Sequence, residues 1–199
     1  MTTYTVISLQ DILTYCNIET INSAFSEFKC EREKDLETFL VNRAIRYEQK
    51  GFGRTYLCLD NKAKEQGKLS IIAYFTISFT AMRIDGLSSS KKKKVLGDYP
   101  GRDTITFAPS FLIGQLGRSD SYSQKYISGH DLLKECYHML SLAYGVIGGQ
   151  MVILECREHM FSKFYENYGF KKLHDDLNED GLYTLYQKIN FDEYITYNE

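Results

Sequence analysis

The sequence predicts an α/β protein, an α+β mixed sheet flanked by helices, and two patterns carry that reading. Arg54–Asp60 (RTYLCLD) and Leu69–Phe79 (LSIIAYFTISF) read as strands joined by a polar loop, which suggests an antiparallel hairpin. From Phe111 onward the order is strand–helix–strand–helix–strand–strand. A long helix between two buried strands there is the signature of a parallel crossover.

Each element has its own warrant. Val6–Leu9 reads as a first strand, followed by short helical stretches through Phe28. Asp35–Gln49 reads as one amphipathic helix: Leu36, Phe39, Leu40, Ala44 and Tyr47 recur at spacings of three and four. Asp35 and Glu37 suit its positive end, and Lys50-Gly51 stops it. Arg83–Asp103, with Ser88–Ser90, Lys91–Lys94 and Asp98-Tyr99-Pro100-Gly101, reads as an irregular, mobile surface insertion. Phe111–Leu116 (FLIGQL) resumes a buried strand. Gly129–Tyr144 is a helix with Leu132, Leu133, Cys136, Tyr137, Leu140, Ala143 and Tyr144 on one stripe. Gln150–Cys156 is a further central strand. Arg157–Tyr168 reads as a second amphipathic helix stopped by Gly169. Phe170–His174 and Leu182–Ile189 close the pattern as strands around a loop holding Asn178–Gly181.

Composition narrows the function classes. A chain of 199 residues predicts a single domain able to bury a core without disulfides or metal. Lys+Arg 24 against Asp+Glu 26 gives a net charge of −2, which excludes a globally basic nucleic-acid coat. No basic segment followed by an apolar run opens the sequence, and no apolar run is long enough to cross a bilayer, so the expected location is the cytoplasm, away from membranes. Cys16, Cys30, Cys58, Cys136 and Cys156 form no Cys-x-x-Cys pair, so free thiols in a reducing compartment and no metal are expected.

The informative stretch runs from Phe111 to Tyr144. A strand (FLIGQL) leads through a polar turn (GRSDSYSQKYIS) into Gly129 and the long helix. Unpaired first-turn amides and the positive end of a helix dipole make that arrangement an anion site. Ser128 is a candidate N-cap, and Asp131 can accept an amide hydrogen bond. On shape alone, an ordinary capped helix after a strand accounts for the same residues. Neither G-x-x-x-x-G-K-[ST] nor G-x-G-x-x-G is present, which excludes the common nucleotide fingerprints.

A second stretch, Val152–Phe170 (VILECREHMFSKFYENYGF), places a strand before a helix ending in Phe164-Tyr165-x-x-x-Gly169-Phe170. Here the chain resembles the GNAT superfamily of acyl-CoA-dependent N-acyltransferases, in which a late strand precedes a helix ending in [FL]-Y-x-x-x-G-F. Leu154, Phe164, Tyr165, Gly169 and Phe170 stand where that pattern asks. The family's coenzyme turn, [QR]-x-x-G-x-[GA] before a helix with paired leucines, is matched by Gln124, Gly129 and Leu132-Leu133. Ile127 replaces the middle glycine. The link Cys156-Arg157-Glu158-His159 lacks the asparagine that many members carry after this strand. The resemblance covers Leu36–Ile189 and implies one GNAT-like domain over residues 1–199, with its core at 36–189, an insertion at 83–103 and a splayed strand pair that binds acyl-CoA.

What the resemblance implies is direct transfer of an acetyl group from acetyl-CoA to a primary amine in a ternary complex. The implied coenzyme set is Leu116, Arg118, Gln124, Lys125, Tyr126, Ile127, Ser128, Gly129, His130 and Asp131. Backbone N–H near Leu116 would polarise the thioester carbonyl. Tyr165 matches the position that protonates the departing thiolate; as a core aromatic of an amphipathic helix it has an equal structural explanation. Glu155 is the candidate base, set against the simpler reading of a charge at a strand's solvent end. Arg157 and His159 are the residues available to replace the missing asparagine contact. The partner expectations are acetyl-CoA, an amine acceptor and a second copy of the chain in a homodimer.

The four lysines Lys91–Lys94 read either as a solvated loop or as a surface for an anion, RNA included. Some members of the resembling family are toxins that acetylate aminoacyl-tRNA, and a basic loop suits that acceptor. Roughly the first thirty residues and the insertion would shape the acceptor site, since variable ends and loops carry specificity. The competing class is a non-catalytic module that binds acyl-CoA or a partner protein.

Overall fold

The computed structural model describes residues 3–194. Seven strands form one mixed sheet, with helices between them. The chain divides into two compact units, Met1–Ser78 with Ile113–Met139, and Phe79–Leu112 with Leu140–Glu199.

In the first unit, β1 (Tyr4–Ser8) pairs antiparallel with β2 (Arg54–Asp60), which pairs antiparallel with β3 (Ile71–Arg83) as the hairpin pattern requires. α1 (Leu9–Tyr15) and α2 (Ile18–Glu27) begin at Ser8 and Asn17, whose side chains accept the N–H groups of Asp11 and Thr20. The core of this unit gathers Leu9, Phe25, Phe28, Phe39, Leu40, Leu57 and Tyr74. The helix expected over Asp35–Gln49 is two helices, α3 (Lys34–Asn42) and α4 (Ala44–Lys50), broken where Arg43 takes φ −128°. The reason lies outside the helix. Buried Glu48 on α4 accepts the Arg54 guanidinium at 2.6 Å and the Thr55 N–H at 2.8 Å, so the start of β2 fixes where α4 points. The polar loop after β2 holds a short helix, α5 (Asn61–Glu65).

In the second unit, Arg83–Asp103 is irregular only in part. It contains α6 (Ser89–Leu96), capped by Ser88, with Val95 and Leu96 buried beside Met82, Ile84, Leu173 and Tyr186. Those two apolar side chains, hidden among a run of lysines, help to hold the helix down.

β4 (Phe107–Arg118), α7 (Gly129–Ile147) and β5 (Met151–Cys156) form the expected crossover. β4 and β5 pair in parallel at Phe111–Val152 and Leu112–Ile153; β4 then runs on to Arg118 and β5 to Cys156. After β5 the helix expected over Arg157–Tyr168 is α8 (Glu158–Lys163) followed by a 3-10 turn, Tyr165–Tyr168. It changes at Phe164 (φ −135°), whose ring lies 5.0 Å from Tyr165 and 4.8 Å from Tyr168. β6 is only Lys171–Lys172, much shorter than Phe170–His174, and pairs antiparallel with β7 (Tyr183–Lys188). β7 in turn pairs antiparallel with β5 over six residues, so the strand order is β1-β2-β3-β4-β5-β7-β6. Among the described residues no helix is long and apolar enough to cross a membrane.

Candidate active site

The first unit holds the turn between β4 and α7, and it is anchored from three sides. The Ser119 N–H donates to the Ile72 carbonyl on β3 (2.8 Å). The Asp120 N–H donates to the Lys29 carbonyl (2.7 Å), and the Asp120 carboxylate accepts the Glu31 N–H (2.7 Å), tying the turn to the loop between α2 and α3. The Tyr122 phenol hydrogen-bonds to Asp60 and Ser70, and its ring meets Tyr126 edge-on at 5.1 Å. Burial and the nearby Asp60 carboxylate raise the Tyr122 pKa.

At the end of the turn, Ser128 and Asp131 cap each other. The Asp131 N–H donates to Ser128 Oγ (3.1 Å), while Ser128 N–H (3.1 Å) and hydroxyl (2.6 Å) donate to the Asp131 carboxylate. These hydrogen bonds hold the Asp131 carboxyl below the usual carboxylate range. Both residues of the expected coenzyme set therefore spend their polar atoms on starting α7. Ile127 is buried, and its carbonyl accepts Arg118 Nη1 at 3.1 Å; its side chain is core. Gln124, Lys125, Tyr126, Gly129 and His130 are exposed, and Leu116 is half-buried.

In the second unit, Tyr165 opens the 3-10 turn and is 8% exposed, its ring edge-on to Phe164 (5.0 Å) and Phe170 (5.5 Å). Gly169, at φ +84°, reverses the chain so that the Phe170 N–H returns to the Tyr165 carbonyl (3.2 Å). A side chain at that φ is strained, which is why the pattern needs glycine there. Phe164, Tyr165, Gly169 and Phe170 thus form one aromatic collar around the tyrosine. Glu155 is exposed on β5 and accepts the Asn178 side-chain amide at 2.9 Å. Burial pushes the Cys156 thiol up to about 11, so it stays protonated at neutral pH. Arg157 and His159 are exposed at the start of α8.

No family model matches the chain. Among curated proteins it is 28% identical over 108 residues to the exodeoxyribonuclease 7 large subunit of Ligilactobacillus salivarius (strain UCC118). That stretch is 54% of this chain and 24% of that protein, so the chain spans about a quarter of its curated relative. Solved structures match along nearly the whole chain. A mutant of the AtaT toxin bound to acetyl-CoA and the C-terminus of the antitoxin AtaR is 16% identical, with TM-score 0.66 over 96% of both chains. AtaT complexed with acetyl-methionyl-tRNAfMet is 21% identical, with TM-score 0.66 over 93% of this chain and 94% of that one. A mutant of KacT is 20% identical, with TM-score 0.66 over 92% and 94%. The chain has the GNAT fold.

Within the GNAT fold the donor set of the β4–α7 turn fits a coenzyme diphosphate. The N–H groups of Gln124, Ile127 and Gly129 have no partner among the described residues, and Lys125 brings an exposed cation. Arg118 adds a buried Nε without a hydrogen-bond partner. A buried donor left unpaired costs about 1–3 kcal/mol, which a bound anion would recover. Among the described residues no three His, Cys, Asp or Glu side chains gather as a metal set.

Two features of these residues lie outside what the sequence shows. Nothing in the sequence shows that half-buried Arg118 holds its Nε out of solvent without a hydrogen-bond partner. Asn178 was visible only as a loop residue. The Asn178-Glu179-Asp180-Gly181 turn was its signal: the side chain accepts the Asp180 and Leu182 N–H groups, which leaves its amide to orient Glu155.

Proposed function

We propose that this chain is an acetyl-CoA-dependent N-acetyltransferase whose acceptor is the α-amino group of an aminoacyl-tRNA. The observation that carries the reading is the match, nearly end to end, to structures holding acetyl-CoA and an acetylated aminoacyl-tRNA. The residues supply chemistry that suits it. The amine nitrogen attacks the thioester carbonyl carbon, the C–N bond forms and the C–S bond breaks. Backbone N–H near Leu116 stabilises the charge developing on the carbonyl oxygen. Tyr165 delivers its phenolic proton to the leaving thiolate. The amine's proton leaves to Glu155 directly or through water. An α-amine titrates near 8 rather than near 10 as lysine does, so it needs only an exposed, oriented carboxylate of the kind Asn178 provides.

A second reading keeps coenzyme binding and drops catalysis. Ile127 in place of the middle glycine and the Cys156–His159 link without asparagine favour it. Thermal unfolding with acetyl-CoA, free CoA and ATP tests the shared part. A micromolar ligand at millimolar concentration should stabilise the fold by about 4 kcal/mol. Stabilisation by both CoA species and not by ATP is the expected result; no shift with either overturns both readings.

A further inference from the structure

The geometry points to α6, together with Lys171 of β6 and Lys188 of β7, as a docking surface for the phosphate backbone of RNA. This rests on the aminoacyl-tRNA reading and assigns it a contact surface outside the acetyl-transfer residues. α6 lies against β6 and β7: Lys91 Nζ donates to the Lys172 carbonyl at 3.2 Å, and the Lys188 amine sits at Gly97, where α6 ends. The four lysines do not act alike. Lys92 is buried and donates to the Ile105 carbonyl at 3.2 Å, so it anchors the helix. Lys93 and Lys94 are exposed, as are Lys171 and Lys188, and Lys91 is half-exposed.

Among the described residues none of these five amines is in an ion pair. The carboxylates next to α6, Asp98 and Asp103, are turned to Arg102 at 3.9 and 3.7 Å. α6 has no acidic residue of its own, and Lys91 and Lys94 stand at the i,i+3 spacing where like charges repel. Such a face lowers its self-repulsion by taking up an anion. Its composition selects the class. A protein interface needs an apolar centre, yet both apolar residues of α6 are buried in the core. Lysine point charges on a helix whose own apolar residues are buried are what phosphate contact requires.

The test measures binding of uncharged tRNA to the full chain, without acetyl-CoA, across a salt series. A triple variant, Lys93→Gln with Lys94→Gln and Lys171→Gln, is compared with Lys50→Gln, Lys62→Gln and Lys64→Gln, three exposed lysines of the other unit. The first should flatten the log–log salt slope by about three and weaken binding about a hundredfold near 0.1 M salt. It should leave the acetyl-CoA stabilisation intact. The second triple should leave both unchanged. Equal effects of the two triples, or none from either, overturn the docking surface. So does a wild-type chain that binds an acidic protein and no tRNA. Acetylation of aminoacyl-tRNA that both triples support equally would remove the surface while the acceptor reading stands. Binding that depends on α6 with no acetylation would remove the acceptor reading while the surface stands.

Discussion

Tyr165→Phe is expected to lower turnover about a hundredfold or more while the protein stays folded and keeps its affinity for acetyl-CoA. The size follows from the usual worth of a positioned general acid, about 10²–10⁴-fold. The fold should tolerate the change because the ring is what packs: its edge contacts with Phe164 and Phe170 and the Phe170 N–H on its own backbone carbonyl all survive. Losing the hydroxyl should cost about 1 kcal/mol of stability. The assay is steady-state acetyl transfer, read as kcat, beside thermal unfolding of the same variant. A kcat equal to wild type would return Tyr165 to the core. Loss of kcat together with loss of the fold would show that the collar, rather than the phenol, carries the effect.

Phe111→Ala should destabilise the protein by about 3–5 kcal/mol, the usual cost of emptying a buried aromatic site. Phe111 stands opposite Val152 on the parallel rung of β4 and β5, with its ring edge-on to Phe79 (6.1 Å) and Phe191 (5.6 Å). Gly149, at φ +108°, lets the backbone lie against the same ring: a Cβ there would come within 3.2 Å of it. Three separate segments thus meet on one side chain. Urea unfolding checks this, as a lower midpoint at an unchanged slope. A loss under about 1 kcal/mol would mean that the rung is held by its backbone alone.

Periodicity made the crossover legible. The β4–α7–β5 unit follows from apolar stripes local to the chain, whereas Phe164 to Phe170 are singled out by the resemblance and the stripe there suggests a longer helix than forms. The failures share a cause. The break at Arg43 is set by Glu48 reaching Arg54 and Thr55, a contact formed only when α4 meets β2. α6 was hidden because its charge outweighs the two apolar residues that pin it. Ser128 and Asp131 were legible as an N-cap and as an anion site at once, and the observed hydrogen bonds spend them on the cap. Arg118 stood in the expected coenzyme set, yet its unpartnered Nε depends on burial that no local pattern encodes.

Incubating the purified chain with acetyl-CoA and a charged tRNA, then analysing the amino acid released from the tRNA by mass spectrometry, tests the acetyltransferase reading most directly. The expected product is the aminoacyl group carrying one acetyl on its α-nitrogen, formed in step with free CoA and lost in Tyr165→Phe. An unmodified amino acid after many turnovers' worth of time, from a chain that acetyl-CoA demonstrably stabilises, would contradict it.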